Sequence, residues 1–224
     1  MFTKVNSKVV SVDLVRSGPI VARRGAMLFY TGQVWFQPHQ APGAGGGVGG
    51  MAGRMIRGEH EATMIAQGQG VVHYGFRGLD VEVVDLSQGG ELRVEASKLL
   101  AYTQGLQATV VSTSAASGGG GGLRGALRSA ASGAVTGQGM FTTRLVGVGT
   151  AVILGHGGFI SLPVAPNRPI TVDPQSFAAS IGQVETSLRS TVSLRNMGRT
   201  GGEGFQLDCT GQGVVYVQAS EQRL

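Results

Sequence analysis

The chain has 224 residues, 42% hydrophobic and 14% charged, with a formal net charge of +5 and a single cysteine. A chain of that size buries a core without cross-links, and a lone Cys209 excludes both an intrachain disulfide and a four-cysteine zinc site. The 39 glycines far exceed the roughly 7% share of an average protein and announce tight turns and long loops.

In chain order, Met1–Lys8 holds no apolar core of signal-peptide length and no arginine-rich presequence. A cytoplasmic location is the expectation. Val10, Val12 and Leu14 then alternate with Ser11 and Asp13, the period-two pattern of a strand with one buried face. Ile20, Ala22, Met27 and Val34 continue the apolar positions. A loop dense in glycine is expected over 37–58. Positions 62–76 resume a strand pattern around Gly68-Gln69-Gly70, whose glycines suit a bulge or a tight turn.

Leu79, Val81 and Val83 alternate with Asp80 and Glu82, and Leu86, Leu92, Val94, Leu99 and Leu106 follow. A second glycine-rich loop is expected over 112–139. Leu145–Asn167 carries no charged side chain and is long enough to span a bilayer. Its five glycines, Pro163, Pro166 and His156 argue instead for two strands and a turn. Leu162, Ile170, Val172, Phe177 and Val184 come next, then a short loop over 195–202 and a last strand pattern around Gly211-Gln212-Gly213.

These segments repeat. Leu14, Ile20, Ala22, Met27 and Val34 recur, at one constant spacing, as Leu86, Leu92, Val94, Leu99 and Leu106. From Leu92 onward the same positions recur, at a second constant spacing, as Ile170, Val172, Phe177 and Val184. The strand with paired glycines occurs at 62–76, 141–155 and 205–219. A fixed period marks a repeat architecture. The expected fold is all-β, with three pseudo-threefold-related β-sandwich or double-stranded β-helix-like units. Two are expected at 62–106 and 141–184. The third is expected to be completed by the N- and C-terminal segments, 205–219 with 9–34, so that the chain ends meet.

Gly25-Ala26-Met27-Leu28-Phe29-Tyr30-Thr31-Gly32 resembles the early "GAML-Y-TG" segment of the family named for altered inheritance of mitochondria protein 24. Gly202-Glu203-Gly204-Phe205 and Thr210–Gln218 resemble its late "GEGF…TGxGxVYLQ" segment. The resemblance covers essentially the whole chain, and the glycine-expanded loops depart from it. It implies an all-β fold similar to the tryptophan RNA-binding attenuator protein and no established enzymatic activity. No residue set carries over from it as a binding site, because a fold does not transmit a function.

Chemistry-bearing residues are sparse. His39, His60, His73 and His156 include no i, i+4 pair, so no zincin pattern exists. Cys209 sits in a strand pattern, where a buried inert thiol is expected. The glycines of 43–50 lack the Gly-Lys-Ser/Thr of a phosphate loop, and Gly68-Gln69-Gly70 lacks the third glycine of a dinucleotide site. Asp80, Glu82 and Asp85 read as a solvated face. Each joining loop does carry two arginines: Arg54 and Arg57, Arg124 and Arg128, Arg195 and Arg199. Threefold closure would gather these six as a candidate anion-binding set, since guanidinium groups suit phosphate and carboxylate.

The expectation is therefore a non-enzymatic interaction or scaffold protein that associates with itself. It has no cofactor, no metal, no transmembrane segment and no identifiable small-molecule ligand. The alternative is a protein that binds an anionic partner, nucleic acid or a phospholipid surface, through the loop arginines.

Overall fold

The computed structural model describes residues 1–39, 62–112, 141–190 and 205–220. These residues form an all-β chain. The only helical pieces among them are the short α1 (Leu14–Ser17) and a 3-10 turn at Ala96–Lys98. Asp13 caps α1 by accepting the Val15 N–H at 2.9 Å. The first strands are β1 (Phe2–Asn6), β2 (Val9–Asp13), β3 (Ile20–Arg23), β4 (Met27–His39) and β5 (Thr63–Tyr74). The middle of the chain gives β6 (Asp80–Leu86), β7 (Glu91–Glu95), β8 (Leu99–Thr103), β9 (Leu106–Ser112), β10 (Phe141–Gly147) and β11 (Gly149–Gly155). The last strands are β12 (Phe159–Val164), β13 (Ile170–Val172), β14 (Phe177–Ser190) and β15 (Phe205–Gln218).

Two antiparallel sheets result. An eight-stranded sheet runs β1-β2-β5-β3-β8-β11-β6, with β4 also paired to β5. A seven-stranded sheet runs β12-β15-β14-β7-β10-β9, with β13 also paired to β15. The uncharged stretch from Leu145 lies in β10, β11 and β12, as its glycines and prolines suggest.

The two long hairpins share one register at their paired glycines. Gly32 and Gln33 of β4 face Gly70 and Gln69 of β5. In the same way, Gly182 and Gln183 of β14 face Gly213 and Gln212 of β15. A Cβ on Gly70 would strike the carbonyl of Thr31, and one on Gly213 the carbonyl of Ile181. Glycine is required there because two backbones cross too closely for a side chain.

The halves combine differently from the sequence expectation. Among the described residues, 205–219 does not pair with 9–34. Instead β15 pairs with β12, β13 and β14, while β2, β3 and β4 pair with β5. Likewise β10 and β11 pair with β6, β7, β8 and β9. The ladders thus group 9–34 with 62–76, 79–106 with 141–155, and 159–184 with 205–219, in place of 62–106, 141–184 and the paired ends. Each half joins the half across its own loop because the strands flanking that loop run antiparallel and pair as one long hairpin, as β4 and β5 do from Met27 opposite Tyr74 to His39 opposite Thr63. Strand β4 also extends to His39, into the segment expected as loop, where His39 faces Thr63.

Two further ladders join these groups. Strand β3 pairs with β8, and β7 pairs with β14. The core follows from them. Along β11, Val152 and Leu154 pack into a cluster with Ile20, Val72 and Leu100, while Ala151 and Ile153 pack into a second with Leu92, Leu145 and Ala178. Successive residues of a strand point to opposite faces, so an unbroken apolar run such as 151–154 marks a strand buried on both sides. A third cluster holds Val172, Val184, Leu207 and Val215.

Candidate functional site: an unpaired apolar edge

The three groups share a bulge. Strand β4 skips Leu28 as it pairs with β5, β8 skips Leu100 on β11, and β14 skips Ala178 on β15. The bulge aligns Met27–Thr31 with 99–103 and 177–181, the same correspondence that matches Met27 to Leu99 and Phe177 in the sequence. In β8 the outer edge of this stretch is occupied by β3, and in β14 by β7. In β4 no described strand occupies it.

Burial reports the difference. Leu100, Ala101, Ala178 and Ala179 are fully buried. Their counterparts Leu28 and Phe29 are 52% and 53% exposed, and Met27 and Tyr30 are 39% and 44% exposed. Four consecutive large apolar or aromatic side chains therefore lie exposed on a strand edge that no described strand pairs with, an uncommon arrangement for a sheet edge. Phe29 stacks on His73 with ring centroids 4.0 Å apart, and Tyr30 meets Phe36 edge-on at 5.6 Å. Half-exposed Trp35 lies over Gly68, where a Cβ would collide with its ring. These contacts fix the rings in place before any partner arrives.

Beside this edge a mostly apolar cavity of about 280 Å³ is lined by Ala22, Arg23, Met27, Phe36, Met64 and Tyr74 among others. Arg23 is almost fully buried. It stacks over Phe76 at 4.7 Å and donates to the carbonyls of Ala96 and Ser97 at 3.2 and 2.6 Å. At the next junction the buried cation is Lys98, which donates to the carbonyl of Phe177 at 2.6 Å and pairs with Glu95 at 3.2 Å. Burial lowers the Lys98 pKa, and Glu95 partly offsets that. The Tyr74 hydroxyl is buried with no hydrogen-bond partner among the described residues, and desolvation raises its pKa.

The six loop arginines, Arg54, Arg57, Arg124, Arg128, Arg195 and Arg199, lie outside the described residues, as does His60. His39 sits on β4 with Nδ1 3.2 Å from the Thr63 hydroxyl, and burial lowers its pKa. Cys209 is buried, and desolvation, aided by the charge of Asp208, raises its thiol to about 11. Two of the acids read as a solvated face have partners: Glu82 pairs with Lys4 at 2.6 Å and Asp80 with Lys8 at 3.2 Å. Asp85 accepts the backbone N–H of Ser87 at 2.8 Å. Among the described residues no group of three or more His, Cys, Asp or Glu side chains could hold a metal ion, and no helix is long and apolar enough to cross a membrane.

Fold and edge together define an all-β protein of two antiparallel sheets in which the apolar stretch Met27–Tyr30 of β4 has no strand on its outer edge among the described residues. The chain belongs to the mitochondrial biogenesis AIM24 family, whose model matches residues 2–220. The fold is similar to the crystal structure of protein SPYM3_0169 from Streptococcus pyogenes, with a TM-score of 0.68 and 18% identity. That likeness covers 98% of this chain and 92% of the other. No curated protein matches.

Proposed function

We propose that this protein is a non-enzymatic interaction protein that associates with itself and serves as a scaffold. The observation that supports the reading is the open edge of β4. Met27–Tyr30 is apolar, uncharged and exposed, whereas the same stretch is covered in both counterparts. Soluble chains blunt open edges with charge, proline or a covering segment, and Met27–Tyr30 has none of these among the described residues.

Light scattering of the full chain over a wide concentration range tests the reading. The expected result is a mass of at least two chains that falls on dilution. A single-chain mass throughout would overturn it.

A further inference from the structure

Two strand junctions inside the chain specify a third. At the first, Ile20, Val21 and Ala22 face Thr103, Tyr102 and Ala101. At the second, Leu92, Arg93 and Val94 face Ile181, Ser180 and Ala179. Both ladders are antiparallel. Ile20 and Leu92 are matching positions of the repeat, and so are Thr103 and Ile181, so the two ladders are one junction used twice. The remaining copies of those positions are Ile170 and Thr31. Carried once more, the junction brings Ile170, Thr171 and Val172 of β13 opposite Thr31, Tyr30 and Phe29 of β4. Within the chain that ladder is not made: β13 pairs only with β15, and β4 only with β5, among the described residues.

We propose that Phe29–Thr31 of one copy pairs antiparallel with Ile170–Val172 of a second copy, in the register Thr31 to Ile170, Tyr30 to Thr171 and Phe29 to Val172. This deepens the self-association reading and rests on it. The junctions already made show what such an edge accepts, namely three paired residues of which at most one is charged. Ile170–Val172 is one, and a second copy carries it in the required register.

The charges beside the edge agree. At the first junction the buried Arg23 guanidinium donates to the carbonyls of Ala96 and Ser97. At the third, Asp173 takes the place of Arg23, and Arg24 and Gly25 take the places of Ala96 and Ser97. A carboxylate thus arrives beside the exposed Arg24, which favours the pairing. Two copies that exchange β13 edges satisfy both open edges at once, a closed two-fold arrangement.

Cysteine pairing tests the register. Tyr30→Cys protein is mixed with Thr171→Cys protein and mildly oxidised. Residues directly opposite on neighbouring strands lie within disulfide reach. The expected product is a reducible two-chain species containing one of each variant. It should be absent from wild type, whose Cys209 is buried, and from a control that pairs Tyr30→Cys with Leu188→Cys. Phe29→Glu and Leu28→Glu should each reduce the light-scattering mass to one chain while the thermal melt stays near wild type.

A wild type that is monomeric at every concentration would sink both this inference and the reading beneath it. Association that survives Phe29→Glu and Leu28→Glu, with no crosslink in the mixture, would overturn this interface and leave self-association standing. A crosslink confined to single chains of the Tyr30→Cys/Thr171→Cys double variant would show that the chain closes on itself, and would overturn the second copy. Crosslinking of Tyr30→Cys to a different protein would do the same.

Discussion

Lys8 Nζ lies 3.2 Å from Asp80 Oδ1, and the other oxygen of that carboxylate accepts the backbone N–H of Gly158 at 3.1 Å. One side chain on β6 thereby ties the turn between β1 and β2 to the turn between β11 and β12. Burial pushes the Asp80 pKa up, but hydrogen bonds from Lys8 and Ser7 outweigh it and hold the carboxyl below the ordinary range.

That relationship predicts an acid sensitivity. A carboxylate whose folded pKa is depressed stabilises the fold above its unfolded value of roughly 4, and the gain is lost as pH falls through the folded pKa. Asp80→Asn should cost about 1 kcal/mol at neutral pH, on the scale of a part-exposed ion pair. It should cost almost nothing at about pH 2, where the wild-type carboxyl is protonated as well. Urea midpoints for wild type and variant should therefore converge on acidification. Parallel curves would contradict the assignment.

Leu28 and Leu100 fill the same bulge in different surroundings. Leu100→Ala empties a fully buried site and should destabilise by about 2–5 kcal/mol. Leu28→Ala removes an exposed side chain and should stay within about 0.5 kcal/mol for the isolated chain. Urea denaturation at low protein concentration checks both. Equal costs would mean that β4 is covered within a single chain.

Gly213→Ala would drive a Cβ into the backbone of Ile181. The two strands must separate to admit it, and a loss of more than about 2 kcal/mol is expected. Gly18→Ala is the comparison, because Gly18 has a positive φ of 71° but nothing lies near its missing Cβ. Its cost should be strain alone, on the order of 1–2 kcal/mol. A larger loss at Gly18 than at Gly213 would refute the close crossing.

Cys209 should be inert in the native state. Its thiol is buried and raised to about 11, so little thiolate is present at about pH 8. A thiol-specific colour reagent should react slowly with the folded chain and fast in denaturant. Rapid native labelling would show that β15 opens readily.

The all-β class was legible because apolar and polar side chains alternate along the strands, as Val10, Ser11, Val12 and Asp13 do in β2. Which halves join was not legible. A repeating pattern reads the same wherever a copy is said to begin, and only connectivity across the loops selects the pairing of β5 with β2, β3 and β4. The open edge was hidden for a related reason. Met27–Tyr30 is as apolar as 99–102, and only the tertiary pairing of the strands leaves it without a described neighbour on its outer edge. The partners of Asp80 and Glu82, Lys8 and Lys4, lie 72 and 78 residues earlier in the chain, beyond any local pattern. Cys209, by contrast, was readable from its strand pattern.

Strand β15 has a consequence for synthesis. It is made after every other described strand, and β12 and β13 have no other ladder partner among the described residues. A ribosome adding about 5–20 residues per second leaves those two strands without a mate for an interval on the order of seconds after β14 emerges. The seven-stranded sheet therefore closes late, from its C-terminal end. A nascent chain stalled before Phe205 offers two orphan strands and half of β14 to whatever chaperone or neighbouring chain it meets first.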